Sequence, residues 1–471
     1  MSSRSISPVE SLLVFSDVHL GSDLDDRGHN VVRRSAAIDQ DLVSFLAHYR
    51  ALEPYGDRWR VVVAGDFIDF IGMTIVAEEL EQTTEERAHG LGNASEHARL
   101  KLCRVAERHG DFFDVLAGFV GDGHALTLVH GNHDIEFHWD GVQADFRALL
   151  LHRARAARPD LDEASFLDRI EFSPWFFYRE GVVYIEHGHQ YDPYCATHHV
   201  MSPISPLDPL RIARGMTDTL LRFVVRRTRG MREHGHEHAG MLDYIAFATR
   251  LGFGGLSQLG MRFVRAVQEM FRLRRGYLSK AARMLRIQHH RRVIRLARAS
   301  RLGVRRLRAL LSLQERPITD SVRGIMASVL LDRLALAFIA LVVALVIGLI
   351  GVFYEHVLFA LVGIALGWGI LHRHLCNQRK VDAAETLARK APQLATLFPA
   401  AFVVMGHTHV PVQQLVGHST YVNLGSWSED EAAEGADLVR APRTHLVIHV
   451  REGRATAQLL TWESGAGPKP V

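Results

Sequence analysis

Five short clusters of carboxylates, imidazoles and one carboxamide punctuate this 471-residue chain. They read SDVH (Asp17, His19), GDFID (Asp66, Asp69), GNHD (Asn132, His133, Asp134), HGH (His187, His189) and GHTH (His407, His409). Mixed Asp, His and Asn side chains suit borderline divalent cations such as manganese, iron or zinc. Two ions can share one carboxylate, and Asp66 is the natural bridge. Gly65, Gly131 and Gly406 each precede a candidate ligand, where glycine lets the backbone turn sharply or approach an ion closely. Asp69 reads as a support for a ligand or as a helix cap, and His189 as a neighbour of His187 that binds no ion.

Each cluster closes an apolar run, at residues 12–15, 60–64, 125–129, 182–185 and 401–405. Four or five mainly apolar or β-branched residues in a row predict strands buried on both faces. Helical patterns at 36–49 and 97–120 alternate with the early runs, as in an α/β fold with a largely parallel core. Further strands are expected at 420–424, 445–450 and 457–462. In such sheets ligands bind beyond the carboxyl ends of the strands, so five strand ends can converge on one place.

The ordered blocks D-x-H, G-D-x-x-D, G-N-H-D, a later H, and G-H-x-H resemble those of the calcineurin-like metallophosphoesterases. The resemblance implies a four-layer αββα sandwich built from residues 11–195 and 396–465. It implies a first ion held by Asp17, His19 and His409, with Asp66 bridging, and a second held by Asn132, His187 and His407. Manganese is the favoured cation. His133 is then the acid at the leaving oxygen, with Asp134 orienting its imidazole. The activity implied is hydrolysis of a phosphate mono- or diester by a hydroxide bridging the two ions. Within the family, the bacterial UDP-diacylglucosamine pyrophosphatases act on a lipid-bearing diphosphate at the membrane. This chain departs from them in carrying His133 where they have Arg, His187-Gly188-His189 where they read H-G-D, and a much larger insertion. The substrate is therefore read as a phosphoester, with a lipid-linked or nucleotide–lipid head group as one candidate. Nucleases and non-catalytic scaffolds on the same fold are the alternatives.

Residues 196–395 read as an all-α insertion, because strand signals vanish there. Between residues 261 and 310 there are 16 Lys and Arg against one Glu, although the whole chain carries only +3. Apolar residues recur there at three- and four-residue spacing, making basic amphipathic helices that seek phosphates of nucleic acid or anionic lipid. Phe263, Phe271 and Tyr277 are too few for base stacking along a single strand. Residues 334–354 carry no charge and are long enough to cross roughly 30 Å of hydrocarbon. A second apolar run, 357–371, covers only about 22 Å as a helix. Arg323, Arg333, Arg373, Arg379 and Lys380 flank the outer ends and none sits at the tip, which places both ends in the cytoplasm. Candidate ligands lie before and after this hairpin, so the chain must cross an even number of times. The reading is a membrane-anchored protein with its site on the cytoplasmic face.

Three scattered cysteines, Cys103, Cys195 and Cys376, provide no disulfide framework or zinc ribbon and fit a reducing compartment. The polar N-terminus lacks the apolar segment of a signal peptide. Residues 190–194 (QYDPY) read equally as a lining of the pocket or as a turn set by Asp192-Pro193, while 197–199 (THH) and 233–238 (EHGHEH) read as solvated loops.

Overall fold

The computed structural model describes residues 10–27, 37–52, 58–228, 231, 252–351, 356–379, 381–428, 441–451 and 454–471. Two mixed sheets form the centre. The larger contains β1 (Ser11–Phe15), β2 (Trp59–Ala64), β3 (Ala125–Val129), β4 (Ile170–Ser173), β10 (Thr444–Arg451), β11 (Arg454–Glu463) and β12 (Gly467–Pro470), ordered β12-β11-β10-β1-β2-β3-β4. The smaller contains β5 (Phe176–Arg179), β6 (Gly181–Glu186), β7 (Ala400–Met405), β8 (Pro411–Val416) and β9 (Ser419–Leu424), ordered β5-β6-β7-β9-β8. β1, β2 and β3 run parallel, as do β6, β7 and β9.

Side-chain alternation assigns each face of these strands to a different core. Leu12, Val14, Val62 and Ala64 of the larger sheet share one apolar cluster with Val183, Ile185, Val404 and Val422 of the smaller. The opposite face of the larger sheet, with Leu13, Phe15, Val61 and Val63, packs under helices Ala37–Ala51, Ser95–Arg108, Gly110–Gly121 and Asp140–Ala157. The opposite face of the smaller sheet, with Tyr184, Val403, Met405 and Tyr421, packs under helices Lys280–Ala299, Val304–Leu313 and Ala383–Leu397. The helix expected at 97–120 is two helices. They break at His109, whose Nε2 accepts from the Gly21 N–H at 3.1 Å and whose Nδ1 meets Asp39 Oδ1 at 2.6 Å.

The insertion is one crossover between the neighbouring parallel strands β6 and β7. Among the described residues no strand of either sheet lies within it. Its basic helices cover the smaller sheet: Lys280–Ala299 buries Leu285, Val293 and Ala297 and exposes Arg283, Arg286, Arg291, Arg295 and Arg298. Arginines clasp the insertion to the core. Arg211 Nη2 meets Glu86 at 2.8 Å, Arg214 Nη1 meets Glu85 at 2.7 Å, and Arg222 pairs with Glu85 while donating to Gly90 O at 2.7 Å.

Helices Leu331–Gly351 and Val357–Arg379 form the apolar hairpin, and both are long and apolar enough to cross a membrane. The second is longer than its 15-residue apolar run predicts. Its 23 residues span about 34 Å, because the helix continues through His372, Arg373 and His374. The large side chains face outward, with Phe338 67% and Phe359 77% exposed, so the hairpin is not the buried core of this chain.

Burial alone would raise the Glu85 carboxyl, but the Arg214 and Arg222 guanidiniums hold it down at about 2, against an ordinary 4.5. A carboxylate depressed in the folded state stabilises above its unfolded pKa and loses that contribution as the pH falls through the folded value. Glu85→Gln is therefore expected to destabilise the protein by roughly 2–3 kcal/mol at pH 7. The gap to wild type should narrow from about pH 4.5 down toward 2. Chemical unfolding of both proteins between pH 7 and pH 3 checks this, and a pH-independent gap would refute the assignment.

Candidate metal centre

Parallel pairing brings the ends of β1, β2 and β3 to one edge and those of β6 and β7 beside them, so the predicted residues meet. Asp17 Oδ1 lies 3.2 Å from His409 Nε2. Asp66 Oδ2 lies between two imidazoles, 3.1 Å from His187 Nε2 and 3.8 Å from His19 Nε2. Asn132 Oδ1 is 3.1 Å from the same His187 atom. Atoms that share a cation at 2.0–2.2 Å sit roughly 2.8–4.4 Å apart, depending on the coordination geometry. The Asp17–His19–His409 and Asp17–Asp66–His187 groups each hold their ligand atoms within 4.8 Å of one another and can hold a metal ion.

The backbone is bent to make this convergence. Eight non-glycine residues have positive φ among the described residues, and five are candidate ligands: Asp17 (55°), His19 (53°), Asp66 (53°), His407 (71°) and His409 (59°). Each such residue costs of order 1–3 kcal/mol, which the loops recover by bonding to one another. Val18 N and His19 N both donate to Asp66 O at 2.9 Å, His133 N donates to Asp66 Oδ1 at 2.8 Å, and His407 N donates to Asp17 Oδ2 at 3.1 Å. Two glycines are required by contact. A Cβ on Gly131 would fall 2.1 Å from Asp66 Oδ1, and one on Gly406 would fall 2.5 Å from Asp17 Oδ2.

The electrostatics fit cation ligation. Burial would raise the Asp17 carboxyl, yet His187 and His409 hold it at about 2. Asp66 lies well below the ordinary range for the same reason, His187 and His133 outweighing its burial. Burial, with His133 beside it, drops His19 to about 3, so its imidazole is neutral at pH 7. Burial would lower His187 too, but Asp66 and Asp17 lift it to about 9. The carboxylates that draw a proton onto His187 would draw a cation equally.

His133 stands at the edge of this cluster, its ring 4.6 Å from that of His19 and perpendicular to it. The structure assigns its orientation to Asp69, whose Oδ1 lies 2.7 Å from His133 Nδ1, where the family resemblance implies Asp134. The two Asp134 oxygens are taken by the backbone, accepting from Gly131 N at 2.6 Å and Phe67 N at 2.8 Å. Burial and the Asp66 charge push Asp134 up to about 7. Asp69 also accepts from Gly72 N at 2.7 Å, so it supports the loop and the imidazole together.

His407 turns its Nε2 to Asp192 Oδ2 at 3.1 Å, and these two with Cys195 form a further group that can hold a metal. Asp192 also makes the expected turn, accepting from Tyr194 N at 2.9 Å. The DP dipeptide signals the turn in the sequence, and the pocket-lining reading of QYDPY agrees with Asp192 Oδ2 facing His407. His189 packs beside His187 at a ring separation of 5.4 Å. Residues 197–199 are not a solvated loop: His198 stacks on Tyr277 and pairs with Asp320, and His199 stacks on His289. Residues 233–238 lie outside the described residues.

A scan against protein-family models and a search of curated proteins find no match to this chain.

Gly131→Ala is expected to displace the Asp66 carboxylate and weaken binding of divalent metal at least tenfold, with little change in far-ultraviolet circular dichroism. Calorimetric titration with manganese checks this. Unchanged affinity would show that Asp66 binds no ion.

Proposed function

We propose that this protein is a dimetal phosphoesterase of the calcineurin-like kind, with its two sheets and flanking helices forming that family's αββα sandwich. One observation carries the reading: Asp17, His19, Asp66, Asn132, His187 and His409, drawn from opposite ends of the chain, turn their ligand atoms onto one buried spot beside the His133–Asp69 pair. Asp17, His19, His409 and Asp66 would hold one divalent ion, and Asp66, Asn132, His187 and His407 the other. Manganese is favoured. Ions bound there supply Lewis acidity to water and to the phosphoryl oxygens.

The chain's own part is proton handling and positioning. With Nδ1 tied to Asp69, His133 presents Nε2 to the reacting group. Asp69 stabilises the imidazolium, which gives its Nε2 proton to the leaving oxygen. Asp134 holds the GNHD turn against the end of β2 through Gly131 and Phe67. The hairpin anchors the protein in the bilayer with both outer ends, and so the site, on the cytoplasmic side. The exposed arginines of Lys280–Ala299 lie over anionic head groups. The substrate is a phosphate mono- or diester, and this placement favours a lipid-linked or nucleotide–lipid one.

Protein purified in detergent and stripped by chelator should lose hydrolysis of an aryl phosphodiester and regain it with manganese. His133→Ala should lower kcat by 10²–10⁴, and Asp69→Asn should lower it less. In the His133→Ala background Asp69→Asn should add almost nothing, because it acts through the missing ring. Metal-independent turnover, or additive losses in the double variant, would overturn the reading.

A further inference from the structure

The base of the apolar hairpin holds a charge that the protein leaves short of acceptors. Arg333, the third residue of Leu331–Gly351, is 2% exposed. Its Nη2 donates to Leu375 O of the facing helix at 2.7 Å, while its Nε and Nη1 are buried without a hydrogen-bond partner. A guanidinium does not shed its proton in a protein, so neutralisation cannot relieve the shortage. An unmet buried charge costs more than an unmet neutral group. The adjacent carboxylate does not help, because Asp332 Oδ1 is turned to the Arg333 backbone N–H at 2.8 Å.

The facing helix adds another donor. Trp368 Nε1 is also buried and unpartnered. Its ring stacks on His372, one turn further along, at 5.2 Å, and His372 Nδ1 has no partner either. Leu375, which receives Arg333, lies within one more turn. The seam thus holds unpartnered guanidinium N–H groups at the level of Leu375 and an indole N–H seven residues earlier on that helix, about 10 Å along its axis. The complementary ligand is an anion with several oxygens. Apolar side chains of both helices are exposed at this level, with Leu334 50% and Leu371 51% exposed. Arg333 stands immediately before the charge-free run that begins at Leu334, the depth at which phosphates sit above acyl chains. Trp favours the same level, and basic pockets between membrane helices take lipid head groups.

We propose that the seam between Leu331–Gly351 and Val357–Arg379 binds an anionic phospholipid, with its phosphate at Arg333 and a less polar part of the same lipid at Trp368. This inference rests on the reading of the hairpin as membrane-embedded.

The full-length protein in detergent is titrated with short-chain phosphatidylglycerol, with diacylglycerol and with inorganic phosphate, and thermal unfolding is followed. Phosphatidylglycerol should raise the unfolding temperature by several degrees. Diacylglycerol should not, and inorganic phosphate should act only at far higher concentration. Arg333→Met should weaken the lipid effect at least tenfold and Trp368→Phe several-fold, while Arg283→Met on the exposed basic face should leave it unchanged. If Arg333→Met does not fold, Arg333→Lys and Trp368→Phe carry the test. Equal lipid protection in these variants would overturn the site. Protection by inorganic phosphate at the same concentration would overturn the lipid as its ligand. Extraction of the protein from neutral vesicles by alkaline carbonate would refute the membrane reading; retention there with undiminished lipid binding by Arg333→Met would refute the seam alone.

Discussion

Three buried carboxylates crowded at one strand edge govern this structure. Asp17, Asp66 and Asp69 are 0%, 2% and 1% exposed, and ionised groups at such depth are tolerated only when paired. Each is paired with imidazoles delivered by other strands: Asp17 with His409, Asp66 with His187, Asp69 with His133. No local segment can supply this arrangement. It requires strands from both ends of the chain to finish at the same edge, and it requires the strained turns at Asp17, His19, Asp66, His407 and His409. The tight hydrogen bonding among those loops is what holds the strain in place.

The same requirement explains how so large an insertion is accommodated. β6 and β7 are parallel neighbours, so a chain leaving one must return to the start of the next whatever it does between. The excursion reaches the hairpin and comes back without disturbing His187 or His407. On the way it serves the core: helices Lys280–Ala299, Val304–Leu313 and Ala383–Leu397 bury the outer face of the smaller sheet. Arg211, Arg214 and Arg222 fasten its first part to Glu85 and Glu86. At the base of the hairpin, Leu331 packs against a cluster of Met216, Met270, Ile325 and Val329 that also takes in Ile71 and Tyr194 of the core.

What the amino-acid order determines by itself is the interior. All eight strands expected from the sequence, β1, β2, β3, β6, β7, β9, β10 and β11, are interior members of their sheets. The strands flanked on both sides and covered on both faces, such as β1, β2 and β3, are mainly apolar, so their composition is diagnostic. The four unread strands, β4, β5, β8 and β12, are the four sheet edges. Edge strands such as PVQQLV and GPKP carry polar residues and proline because one side stays unpaired. The residue types that gather at the strand ends were equally legible: Asp17, His19, Asp66, His187 and His409 fall into groups that could hold a metal ion. The three-dimensional fold decided the partners: Asp69 rather than Asp134 holds the His133 ring, Asp192 faces His407, and Arg333 reaches Leu375. Those choices depend on which way a side chain turns from a tight loop or across a helix seam, and that direction is set by backbone angles and packing that residue order does not record.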